Sequence, residues 1–159
     1  MYNTSQELLD AFKATPDTLN GLLGGVTQQQ AAAARGGDEN WSVVQVLCHL
    51  RDTEERGIER MRLMRDQSNP RVAAFDQEQW AAERNYAAAQ LQDALAAFLR
   101  FRAVHIQELA ALSAQDWERP GLHDEQGQIT IGAHTLHLVS HDAIHLAQIA
   151  RQLQQATRA

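Results

Sequence analysis

Trp41-Ser42-Val43-Val44-Gln45-Val46 marks a helix start more completely than any other stretch of the chain. Ser42 offers the hydroxyl of an N-cap, and Gln45, three residues on, can return the hydrogen bond. Trp41 and Val46 have the spacing of a hydrophobic staple. A helix beginning at residue 42 should run to about Asp66, where Ser68-Asn69-Pro70 ends it, because the residue before a proline is pushed out of the helical region. Upstream, Ser5 to Ala14 reads as helical. Thr15-Pro16-Asp17 then has the form of an N-cap with proline at the first helical position, which predicts a bend or a restart. Leu19, Leu22 and Leu23 carry the apolar face to Gly24-Gly25. Thr27 to Gln30 has capping-box spacing for one short turn, and Arg35 to Asn40 reads as a loop.

Downstream, Asp76 can cap a shorter helix through Arg84. Leu91, Leu95, Phe98, Leu109 and Leu112 keep a near-heptad register over about 88–112. Residues 113–117 read as a turn and Pro120 to Gly127 as a loop. Thr130 caps a last helix to about Gln155. Long helices near 5–24, 42–66, 88–112 and 130–155, with no alternating β-branched runs, predict an all-α fold: a four-helix bundle forming one domain over residues 1–159.

The chain has 159 residues, 44% hydrophobic and 21% charged, an ordinary globular balance. A formal net charge of −6 argues against a broad phosphate-neutralising surface, so no nucleic-acid partner is expected. No apolar run approaches the roughly 20 residues needed to span a bilayer, and the N-terminus has no basic region followed by an apolar one. A cytoplasmic protein that neither enters a membrane nor binds nucleic acid is the expectation. The single cysteine, Cys48, rules out an internal disulfide and a cysteine-based zinc cluster. Cys48 adjoins His49, but neighbouring helical side chains point about 100° apart, so it should face elsewhere as a buried thiol.

Three histidines carry the chemistry. His141 and His145 form an H-x-x-x-H pair, and four helical residues return the chain to nearly the same face, roughly 40° on. Such a pair can share one ion, and a third imidazole from another helix completes a set that leaves coordination positions open. On helical phases, His134, His137, His141, His145 and Gln148 form a stripe at the border of the apolar face. His49 occupies the matching border of its own helix. His137 is also four residues from His141 and competes as a ligand on geometry alone. Signatures of zinc proteases, di-iron bundles, phosphate loops and serine-nucleophile elbows are absent.

Two core-seam slots of the third long helix hold Arg102 and His105. A buried guanidinium is costly unless paired, so the seam either holds an internal ion pair, with Asp142 for example, or lines a polar cavity where Arg102 grips a substrate carboxylate. Asp142 itself falls among apolar residues and needs a partner. Arg102, His105 and Asp142 are the candidate catalytic residues.

Trp41-Ser42 opening a helix with His49-Leu50-x-Asp52-x-Glu54, Phe75-Asp76-x-x-x-Trp80, Gly127 ahead of the last helix, and His141-Asp142-x-x-His145-x-x-Gln148-Ile149 together resemble the DinB/YfiT-like superfamily of metalloenzymes. The likeness spans about Leu19 to Gln152. It implies a four-helix bundle of connectivity unlike the simple up-and-down type, often a homodimer. It also implies a divalent ion, commonly zinc or nickel, on His49, His141 and His145. Relatives include transferases and isomerases that use a low-molecular-weight thiol, so thiol-dependent S-transfer to a small-molecule substrate is one expected activity. Metal-dependent hydrolysis, a non-catalytic metal- or ligand-binding stress role, and a purely structural bundle are the alternatives.

Overall fold

The computed structural model describes residues 4–158. Four long helices dominate: α1 (Ser5–Leu23), α3 (Val43–Asp66), α5 (Leu91–Ala110) and α6 (Ile131–Arg158), with short α2 (Gln28–Ala33) and α4 (Gln77–Glu83) in the connections. The signals at their starts are used as read. Ser42 and Gln45 exchange both bonds of a capping box, as do Thr27 and Gln30, and Asp76 caps α4 through the backbone N–H groups of Glu78 and Gln79. Thr130 accepts from the Ala133 N–H at the start of α6.

Around Pro16 the expectation is corrected. No restart occurs: α1 runs through Pro16, and Thr15 is not a cap but donates its hydroxyl to Asp142 Oδ2 at 2.8 Å. Proline has no N–H, so the carbonyl four residues back, that of Phe12, loses its helical partner. Arg102 Nη1 fills that vacancy, donating to Phe12 O at 3.0 Å. A residue that reads as a helix breaker therefore becomes an anchor for a buried arginine.

α3 packs against α5 and α6, and α1 against the same two helices, so α1 and α3 stand on opposite corners, as do α5 and α6. In a simple up-and-down bundle consecutive helices are neighbours. Here α1 to α3 and α5 to α6 are diagonal steps, and the connections that make them carry all the strands but one. The loop expected at 35–40 is a minimal hairpin, β1 (Arg35–Gly36) with β2 (Trp41–Ser42). The loop expected at 120–127 is corrected likewise: β4 (Pro120–His123) pairs antiparallel with β5 (Gly127–Thr130), while β3 (Arg71–Val72) joins β4 in parallel. Arg71 clamps Asp124 through two hydrogen bonds, at 2.6 and 3.1 Å, and the Asp124 N–H reaches Val72 O. Two- and four-residue strands give too few alternations to stand out from loop sequence.

The core is divided. One apolar cluster gathers Leu19, Val43, Leu47, Phe98 and Ile149, and a second gathers Leu8, Phe12, Met61, Leu109, Ile131 and Leu138. Between them lies a buried polar belt of Thr15, Glu54, Arg102, His105 and Asp142. At this level α3 and α6 meet closely: a Cβ on Gly57 would stand 2.9 Å from Leu138 Cδ1 and 3.3 Å from His105 Cε1. Among the described residues, no helix is long and apolar enough to cross a membrane.

Candidate metal centre

His49 comes from α3, His141 and His145 from α6, and the tertiary contact of these helices brings one ring nitrogen of each to within 4.8 Å of the others. The ring centroids stand 4.4 to 4.9 Å apart. His49 Nε2 and His141 Nε2 are 2.8 Å apart. Burial, reinforced by the neighbouring imidazoles, lowers His49 to a pKa of about 3 and His141 to about 2. Both rings are therefore neutral at physiological pH, and neutral imidazole is the form that ligates metal.

The third ring is fixed from outside. Gln148 donates through Nε2 to Gly36 O and accepts on Oε1 from the His145 Nδ1–H, at 2.8 Å. With Nδ1 carrying the proton, the His145 Nε2 lone pair is left for a ligand bond. The backbone makes room for this amide: Gly37 has a φ of +78°, and a Cβ there would lie 2.6 Å from Gln148 Nε2. On the other side the Trp41 ring rests 5.3 Å from His49, so the staple residue of the α3 start also forms a wall of the site. His141 Nδ1 is buried without a partner.

A tetrahedral ion bonded at about 2.0–2.1 Å sets its nitrogens about 3.4 Å apart. Small rotations would open the 2.8 Å contact and close the wider ones. Three converging neutral nitrogens, with a tautomer fixed for His145, fit a divalent ion. Cys48 takes no part: it is wholly buried in the apolar cluster, and burial pushes its thiol up to about 11.

Arg102, His105 and Asp142 lie in the polar belt. Arg102 is fully buried, flanked by the rings of Phe12 at 3.7 Å and Phe98 at 4.9 Å. Its Nη2 donates to Glu54 Oε2 at 2.8 Å and to Asp142 Oδ2 at 2.7 Å. His105 Nδ1 sits 2.8 Å from Glu54 Oε1. Of the two arrangements expected for the seam, the internal ion pair is the one found, and Arg102 has no fork turned towards a ligand. Arg102 and His105 hold Glu54 down to about 2, whereas burial outweighs Arg102 at Asp142 and raises its pKa. Asp142 follows His141 directly, so the network anchors α6 beside the three-histidine cluster.

A cavity of about 280 Å³ reaches His49 and His141, lined further by Thr53, Arg60, Phe75, His123, His134 and His137. Its outer wall comes from the strand connections. His123 is buried, with Nδ1 accepting from the Glu125 and Gln126 N–H groups. His137 is exposed, its ring 6.3 Å from His141, and lies outside the three-nitrogen group. Sequence reading missed Arg60, His134 and Phe75 as cavity residues. His134 carried a signal in the histidine stripe and Phe75 in its motif, whereas nothing in the local sequence sets Arg60 apart from the other arginines of α3.

Comparison with known proteins agrees with this picture. A family described as the DinB superfamily matches residues 11–149. A protein of Oceanobacillus iheyensis, provisionally named a metal-dependent hydrolase, is 32% identical over 109 residues, 69% of this chain. The match spans 63% of that relative, less than two thirds of its length. YfiT from Bacillus subtilis, described as "a probable metal-dependent hydrolase with an unusual four-helix bundle topology", superposes with a TM-score of 0.86 at 21% identity. The superposition covers 98% of this chain and 89% of that one.

Proposed function

The chain belongs to the DinB superfamily, and from that premise we infer that it is a metal-dependent hydrolase of small molecules with His49, His141 and His145 as its metal ligands. The observation that carries this reading is the convergence of three imidazole nitrogens, with the rings of His49 and His141 lining a cavity. The names of the Oceanobacillus and Bacillus proteins support hydrolysis over S-transfer. A divalent ion held by those three rings would supply Lewis acidity and make water a better nucleophile near neutral pH. His49 and His141 offer lone pairs at neutral pH because burial keeps them unprotonated. Gln148 holds His145 in the ligating tautomer. Trp41 shields His49 from one side, while the cavity admits substrate from the other. His137 lines that cavity outside the ligand set.

The test joins metal analysis to catalysis. The purified full chain, loaded with zinc or nickel, is assayed against small esters and amides, and in parallel for conjugation of a low-molecular-weight thiol. Expected are one bound ion per chain, hydrolysis that chelation abolishes, and loss of both in His141→Ala. Thiol conjugation without hydrolysis would replace this reading by S-transfer, and failure to bind an ion would end it.

A further inference from the structure

Of the five arginines on α3, four are matched to carboxylates: Arg51 to Asp52, Arg56 to Glu59, Arg62 to Glu108, and Arg65 to Asp66 and Glu108. Arg60 is the exception. Among the described residues no acid lies within ion-pair distance of it, and its one hydrogen bond runs from Nη2 to the Ala73 carbonyl. Glu125, on the cavity rim, is exposed and stands beyond ion-pair distance. Arg60 is nevertheless half-buried, and its Nε is cut off from solvent without a partner. A desolvated cation with a free N–H is expensive unless an anion arrives.

The same cavity holds further unsatisfied groups. Thr53 Oγ1 and His134 Nε2 are buried without partners, and the His134 side chain is only 5% exposed. In native proteins such orphans are few, and several around one space mark a place where something polar binds. Phe75, its ring 5.5 Å from the Arg60 guanidinium, adds an apolar side chain to the lining beside it. The volume sits at the small end of small-molecule sites.

We propose that the cavity is built for a small substrate bearing a carboxylate, which Arg60 receives through its free N–H edge, with Thr53 and His134 as further polar contacts and Phe75 against the apolar part. This rests on the hydrolase reading for what happens at the metal, but not for the seat itself. The carboxylate would be bound at the outer part of the cavity, leaving the scissile group towards His49 and His141.

Benzoate and benzamide share shape and differ in charge, so they serve as probes. Their binding to the full chain is measured by calorimetry in zinc-loaded and in chelator-treated protein. Benzoate is expected to bind about ten-fold tighter than benzamide or better, in both forms. Arg60→Gln should erase that advantage while keeping its metal. Equal binding of the two probes, or an advantage surviving in Arg60→Gln, overturns the seat. So does an advantage present only with zinc, which would put the carboxylate on the ion. Should Arg60→Gln fail to fold, the Arg60 Nε–H resonance of the unsubstituted chain decides: benzoate must shift it, and an unmoved resonance overturns the proposal. A retained benzoate preference without hydrolysis leaves the seat standing and removes the hydrolase reading. Hydrolysis without the preference does the reverse.

Discussion

Gln148 satisfies both of its neighbours in one amide orientation only, with Nε2 towards Gly36 O and Oε1 towards His145 Nδ1. That makes it a positioning residue for a metal ligand. Gln148→Ala should lower metal affinity about 10- to 100-fold, as loss of such a partner commonly does. Gln148→Glu, which keeps an acceptor facing Nδ1, should recover most of it. A chelator-competition titration of the three proteins measures this, and equal affinities would show that the amide has no hold on the ring. Arg102 makes the opposite case, a buried charge whose role is internal. Arg102→Met strands Glu54 and Asp142 and should cost about 3–5 kcal/mol in urea unfolding, whereas Thr15→Val removes one hydrogen bond to Asp142 and should cost about 1–2 kcal/mol.

Helices α3 and α6 carry the three proposed ligands, so their separation sets the site. Gly57 lets them approach, because any side chain there would enter the space of Leu138 and His105. Gly57→Ala should destabilise by about 1–3 kcal/mol through overpacking, despite the better helix propensity of alanine. Metal affinity should fall with it, since His49 and His141 would be pushed apart. A variant that gains stability would show that Leu138 yields easily. The element boundaries were largely legible: Ser42, Thr27, Asp76 and Thr130 all cap where their hydroxyls and carboxylates say they should. Pro16 was not, because whether a proline stops a helix depends on who takes the orphaned carbonyl. Here the taker is Arg102, 90 positions away.

Taken whole, the molecule should be sensitive to acid when metal-free. His134 falls from its ordinary 6.5 to about 3 in the fold because burial disfavours its charged form. His49 and His141 are lowered alike. Between pH 6.5 and 3 the unfolded chain takes up protons that the native rings refuse, so stability falls as pH falls, by up to roughly 1 kcal/mol per pH unit for each ring. Glu54, lowered from 4.5 to about 2, contributes stability above 4.5 that is lost as pH falls towards 2. The raised pKa of Asp142 acts in the opposite sense and partly offsets Glu54. Urea midpoints of chelator-treated protein should therefore drop from pH 7.5 to 5 and more steeply below 4.5. A flat profile would mean that these histidines are not held neutral by burial.

By itself the sequence determined the all-helical class, the four long helices to within a few residues, and the shared face of His141 and His145, while His49 as the third ring, and His145 over His137, followed from the family resemblance. Class, helices and shared face are local properties: caps act over three or four residues, and the helical repeat places i and i+4 on one face whatever lies beyond. It also limited Arg102 to two fates. Only the tertiary structure decided between them, since a guanidinium becomes an internal ion pair or a ligand seat according to which carboxylates other helices bring to it. The tertiary structure also decided that Arg60, alike in sequence to its paired neighbours on α3, is the one left facing a cavity without an acid. The residues that complete the cavity beside it follow β3 or come from β4 and the loop after it, strands too short to show in any periodicity. Their pairing joins residues far apart in sequence, as Arg71 and Asp124, 53 positions apart, show.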